Sequence, residues 1–143
     1  MLTRLIYLSK PALDFDRDQL EALIAPIRDS ALKHNAKHHL TSALAYSEHR
    51  FVEALEGEDA EVAALMTAIA KDGRHTDIEI IDQRAVANRA FPDWAMAFCF
   101  EPDFSASGKR ARDLIRYLIE AAQRCNKVRA IPGFPTPVNS ITG

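Results

Sequence analysis

Residues 41–56 read TSALAYSEHRFVEALE. Two apolar-rich runs, Thr41 to Tyr46 and Phe51 to Glu56, flank Ser47-Glu48-His49-Arg50, a length suited to a hairpin loop. They predict the second and third strands of a sheet. Successive strand residues point to opposite faces, so Glu53 shares a face with Phe51 and Leu55, both of which call for burial. An unpaired buried carboxylate takes up a proton or finds a donor. A bent or edge strand that gives Glu53 to solvent is the alternative, and periodicity leaves both open.

Upstream, Leu5-Ile6-Tyr7-Leu8 is apolar on both alternating faces, as in a central strand covered on both sides. Leu5 and Tyr7 share one face, and a buried phenol needs a hydrogen-bond partner. A Tyr–Glu pair and an ordinary core tyrosine both satisfy the pattern. Asp16 and Gln19 match a capping box, after which Leu20, Leu23, Ile24, Ile27 and Ala31 recur at helical spacing. Pro26 lies inside that run, where it removes a hydrogen bond and clashes with the preceding turn, so a kink or break is expected. His34 to His39 reads as a polar loop. Downstream, Asp59 is placed to cap a second helix with Val62, Leu65, Met66 and Ile69 on one stripe, ending near Asp72-Gly73. Ile78 to Ile81 predicts a fourth strand, and Trp94, Met96 and Phe98 alternate with small residues in a fifth, following the breaker Phe91-Pro92-Asp93.

The resulting order, βαββαββ, approximates the split βαβ arrangement of a ferredoxin-like α+β fold with a five-stranded sheet. Two helices fall on one face. Gly108 to Asn126 carries Ala111, Leu114, Ile115, Leu118, Ile119 and Ala122 at helical spacing and is expected to cover the other. The predicted organisation is a main domain over residues 1–102, a C-terminal helical cap over 103–126, and a breaker-rich tail over 127–143.

The 143 residues suit one domain, and 48% apolar with 27% charged residues exclude a collagen-like or largely disordered chain. A formal charge of −2 gives the whole molecule no electrostatic reason to seek nucleic acid or an anionic membrane, and neither is expected as a partner. Lys109 to Arg129 carries seven basic and two acidic residues, +5 against −7 in the remainder, a separation suited to guiding an acidic partner or a second subunit. Cys99 and Cys125 are too few for a disulfide scaffold, and no run approaches a membrane span, so a cytoplasmic location is expected. His34, His38 and His39 lack the cysteine or second-element carboxylate that would argue for zinc, and no metal is expected. No phosphate loop, dinucleotide fingerprint or nucleophile elbow occurs, and no enzymatic activity is expected.

Tyr7, Asn35-x4-Leu40-Thr41, Tyr46, Phe51-x3-Leu55-Glu56-Gly57 and Phe91-x2-Trp94-x-Met96, in that order from about residue 3 to about residue 100, closely resemble the BLUF (blue light using flavin) domain. The resemblance implies a blue-light photoreceptor that binds a flavin, usually FAD with FMN or riboflavin as alternatives, between its two helices. On that reading Tyr7 donates an electron and proton to the excited flavin. Asn35 bonds the ring's polar edge, Asp72 lies near its uracil-like side, and Ile27 walls it. His34, Arg74 and His75 lie close to the ligand, and Trp94 and Met96 relay the signal. Short stand-alone members would signal through contacts with another protein or within a homo-oligomer; the downstream protein is unknown.

Three residues depart from the family pattern. Glu53 occupies the place of the glutamine whose rearrangement records the light signal, Ser42 that of a glycine, and Ala68 that of a basic or polar residue. An amide both donates and accepts; an ionised carboxylate only accepts, and the flavin atoms facing it are acceptors too. Glu53 can replace the amide only in its neutral form, which requires a raised pKa. The alternative is a light-insensitive or flavin-free BLUF-like interaction module.

Overall fold

A computed structural model describes residues 1–13, 16–47, 49–90, 97–100 and 109–125. Its elements run β1 (Leu2–Pro11), α1 (Arg17–Lys37), β2 (Thr41–Ser47), β3 (Arg50–Glu58), α2 (Asp59–Ala70), β4 (His75–Ala85), β5 (Ala97–Phe100) and α3 (Ala111–Cys125). The class is α+β. The strands lie in the order β4-β1-β3-β2-β5; the first four pair antiparallel, and β5 joins β2 in parallel.

The alternation along β1 divides the core. Ile6 and Leu8, with Ala43, Ala45, Val52 and Ala54, form one face under Leu114, Tyr117 and Leu118 of α3. Leu5 and Tyr7 turn to the other face, where Leu40, Leu55 and Val62 pack with Leu65, Met66 and Ile69 of α2. Beside them Ile24, Ile27, Ala31 and Leu32 of α1 meet Leu44, Tyr46 and Phe51. Each fully buried Leu or Ile here contributes roughly 1.5–3 kcal/mol of transfer free energy. Gly57 is required by this packing, since a Cβ there would stand 2.5 Å from Leu40 Cδ2.

Several sequence expectations need correction. The capping box is present, with Gln19 N donating to Asp16 Oδ1 (2.8 Å) and Asp16 N to Gln19 Oε1 (3.0 Å). The helix it starts, however, runs unbroken through Pro26. The carbonyl deprived of its donor is that of Ala22, which is exposed, so water can take the missing bond. His34 to Lys37 are not a loop but the last turn of that helix, which His38 closes by donating its N–H to the His34 carbonyl. Asp59 is not the cap of α2 but its first residue. Glu58 holds the cap position without a side-chain bond, and Asp59 Oδ1 instead accepts from the Thr3 hydroxyl at 3.1 Å.

The fourth strand is longer than its apolar core suggested, because His75, Thr76 and Asp82 to Ala85 pair with β1 whatever their polarity. It carries two register irregularities, opposite Ile6/Tyr7 and Leu8/Lys10, the second containing Asp77 at φ 54°. Such bulges bend a strand and re-aim its side chains. The fifth strand is assigned over Ala97–Phe100; Trp94 and Met96 lie outside the described residues, as do residues 103–108 and the tail. No helix among the described residues is long and apolar enough to cross a membrane.

Candidate functional site

β1 and β3 are paired so that Tyr7 stands directly opposite Glu53. Both are buried, at 4% and 6% exposure, on the face covered by α1 and α2. The Tyr7 hydroxyl donates to Glu53 Oε1, which is the one hydrogen-bond partner of that carboxyl among the described residues. Glu53 is therefore neither at an edge nor turned to solvent. Burial pushes its pKa from 4.5 to about 7, with the Tyr7 hydrogen bond opposing part of the rise. Burial first, and then the adjacent carboxyl, push the Tyr7 phenol well above its ordinary range. Both acids accordingly hold their protons in mildly acidic solution.

The last turn of α1 adds Asn35, 2% exposed, whose carbonyl accepts from Leu40 N (2.9 Å) and so ties the helix to β2. Asn35 Nδ2 donates to Ser42 Oγ at 3.1 Å. Ser42, the residue in place of a glycine, thus holds the Asn35 amide from behind. His38 Nδ1 meets Glu61 Oε2 at 2.8 Å and bridges the end of α1 to the start of α2. His34 stacks on His38 with ring centroids 4.4 Å apart; desolvation and then the His38 charge lower its pKa.

The segment after α2 supplies the remaining polar groups. Asp72 and Arg74 satisfy each other through Arg74 Nε (2.8 Å) and an Arg74 terminal nitrogen (2.6 Å), and that bond holds the Asp72 carboxyl below its usual range. His75 reaches the Ile69 carbonyl with Nε2 (2.7 Å) and Ser9 Oγ with Nδ1 (2.8 Å). The first contact requires a proton on Nε2, since a carbonyl only accepts. The His75 ring lies edge-on to Tyr7, 6.2 Å between centroids.

These groups surround one cavity of about 550 Å³ between α1, α2 and the sheet. All eight residues singled out for the ligand, Tyr7, Ile27, His34, Asn35, Glu53, Asp72, Arg74 and His75, line it, and so does Ala68. Sequence reasoning missed Lys71, also on the lining, and Ser9, whose partner became identifiable only with the register of β1 and β4.

The volume lies within the roughly 300–1,000 Å³ of small-molecule sites. Leu23, Ile24, Ile27, Leu65 and Ile69 give apolar walls, and Tyr7, Asn35 and Glu53 a buried polar group set. This donor set fits a flat ring system with apolar faces and one hydrogen-bonding edge.

Residues 2–97 match the family model of BLUF domains, described as sensors of blue light using FAD. The chain belongs to the BLUF family. Its members sense blue light through a bound flavin, and the fit of the cavity to a flavin ring agrees with that membership. Photoactivated adenylate cyclase subunit beta of Euglena longa is 31% identical over 101 residues, 70% of this chain and 11% of the relative; the Euglena gracilis protein of that name is 30% identical over the same shares. The chain thus spans about a ninth of the length of these relatives. Among solved structures, BlrB, a BLUF protein in its dark state, superposes with a TM-score of 0.66 at 27% identity, over 88% of this chain and 90% of that one. BlsA in its photo-activated state gives 0.74 at 24% identity over 85% and 95%, a likeness of fold.

Proposed function

We propose that this chain is a flavin-binding blue-light photoreceptor in which a neutral Glu53 carboxyl takes the place of the family's switch amide. The observation that carries the reading is the buried Tyr7–Glu53 hydrogen bond on the cavity wall. The flavin, when bound, supplies the absorption of blue light and an electron acceptor beside Tyr7. The protein's part is to hold protons at defined atoms. Tyr7 Oη keeps its proton and donates a hydrogen bond to Glu53 Oε1. The neutral acid carries its own proton on Oε2, so one carboxyl accepts at one oxygen and donates at the other, the two capacities of an amide. An ionised Glu53 would lose the donor and set a negative charge against ring acceptors.

The bistable element is this hydrogen-bond set, and rotation of the carboxyl exchanges which oxygen faces Tyr7. Ser42 holds Asn35 and Arg74 holds Asp72 on the cavity wall, while Tyr7 and Glu53 hold each other through a side-chain hydrogen bond. By the family resemblance Trp94 and Met96 relay the signal, and output passes by way of the fifth strand and the C-terminal helix to another protein or a second copy of the chain. No enzymatic step is assigned to it.

The test is an absorption spectrum of the purified protein in the dark and under blue light. Yellow protein with a reversible light-minus-dark difference supports the reading, as does a family-like spectral shift in Glu53→Gln. Colourless protein that rejects added FAD overturns it and leaves the fold as a flavin-free interaction module.

A further inference from the structure

The polar lining of the cavity sorts by depth. Tyr7, Asn35 and Glu53 are at most 6% exposed, whereas Lys71 and Arg74 are open to solvent at the mouth. Charge at the mouth sorts as well. Arg74 is matched by Asp72 in a two-pronged pair. His34 sits exposed on the opposite helix with its protonation disfavoured, so it is largely neutral at pH 7. Lys71 is the lining cation that meets no counter-ion among the described residues.

Lys71 also stands at a telling place. It is the cap residue closing α2, donating its N–H to the Ala68 and Ile69 carbonyls. That end of a helix carries negative partial charge and disfavours an anion. A phosphate at this mouth would have no reason to settle there without the lysine. Ala68, three residues earlier and so on the same helix face, adds only a methyl group, which leaves the approach to Lys71 open.

We infer that Lys71 makes the cavity prefer flavins with a phosphate in the tail, FMN and FAD, over riboflavin, by pairing its ammonium with that phosphate. The inference rests on the flavin reading above and adds the residue that discriminates by the tail. Lys71 acts as a specificity residue for the tail, remote from the buried Tyr7–Glu53 pair. A merely structural lysine, offsetting the helix end, would leave the choice among flavins untouched.

The experiment is a fluorescence-quenching titration of flavin-free protein with riboflavin, FMN and FAD at low and high salt. An exposed ion pair of this kind favours FMN and FAD over riboflavin by about five-fold at low salt, less at high salt. In Lys71→Gln the FMN-to-riboflavin ratio falls toward one, and Lys71→Arg restores it. Equal binding of all three flavins by the unaltered protein, or a preference that survives in Lys71→Gln, overturns the inference and leaves the photoreceptor reading standing. Failure of riboflavin, FMN and FAD alike to bind overturns both.

Discussion

Tyr7 and Glu53 face each other across the antiparallel pairing of β1 and β3, and the phenol donates to the acid in a site screened from water by two helices. A tyrosine opposite a glutamate is an ordinary cross-strand pair on a wet sheet. Here burial converts it into a pair of neutral acids that share one hydrogen bond.

The light response is expected to depend on pH. With the Glu53 pKa at about 7, the light-minus-dark amplitude of the flavin-loaded protein is full in mildly acidic buffer and falls as pH rises through neutrality. Glu53→Gln removes the titrating group and flattens the profile. A pH-independent amplitude in the unaltered protein would count against a neutral Glu53.

Stability in the flavin-free state should follow the same group with a definite sign. Between pH 4.5 and about 7 the unfolded chain releases the Glu53 proton while the folded chain keeps it, so stability falls as pH rises. The full loss, reached above the folded pKa, is about 3 kcal/mol, because each tenfold difference in proton affinity between the folded and unfolded chain is worth roughly 1.4 kcal/mol. Urea midpoints at pH 5 and pH 8 should therefore converge in Glu53→Gln relative to the unaltered protein. Parallel pH dependence in both would refute the assignment.

Tyr7→Phe removes the donor that partly holds the Glu53 pKa down, so that pKa should rise further. The variant is expected to keep flavin in its pocket, to lose the reversible light response, and to fold with a loss of about 1 kcal/mol for the missing bond. The carboxyl stretching band in an infrared pH titration reads the shift. A lower Glu53 pKa in this variant is the contrary result.

On the opposite face of the sheet, Glu56 is fully buried with Arg4 Nε at 2.8 Å and the Ala90 N–H on both its oxygens at 2.9 and 2.8 Å. Arg4→Met takes the guanidinium away from the buried acid and should cost roughly 3 kcal/mol, while the double variant Arg4→Met with Glu56→Gln costs less, since no buried acid is left without its cation. Denaturant unfolding of the unaltered protein, the two single variants Arg4→Met and Glu56→Gln, and the double variant decides. Additive losses would show that the two residues are not coupled.

Pro26→Ala returns an N–H to the turn whose carbonyl, that of Ala22, has no helical donor. A net gain of about 2 kcal/mol is expected once the greater freedom of the unfolded chain is set against the recovered bond. Calorimetry measures it, and an unchanged melting temperature would mean that the helix already accommodates the proline fully.

What the sequence made legible follows from period and polarity. Alternation around Leu5 to Leu8 and Phe51 to Leu55 marked both strands and picked out Glu53 as the odd acid, leaving burial and a solvent-facing edge both open, and the Asp16–Gln19 box marked the start of α1. The ends were less legible. Polar His34 to Lys37 gave no apolar period, yet they continue the helix because its last turn is exposed on one side and carries buried Asn35 on the other. The polar flanks of β4 are strand because β1 offers backbone partners along its whole length. The residues assigned to the ligand came from family resemblance, and their gathering around one cavity was not deducible from spacing. Lys71 escaped notice because its meaning lies in the pairing of its neighbours Asp72 and Arg74, a fact of geometry.

Glu53 and Glu56 sit three residues apart on β3, the innermost of the five strands, and project to opposite sides. One end of this strand is nailed by Arg4 and by the Ala90 amide, and the Arg89 guanidinium grips the Glu56 carbonyl and the Thr41 hydroxyl, each at 2.8 Å. A strand so riveted does not slide. On the photoreceptor reading proposed above, whatever Glu53 does after a photon arrives is expected to travel sideways, toward the sheet's perimeter, as a reshuffling of contacts over a stationary spine.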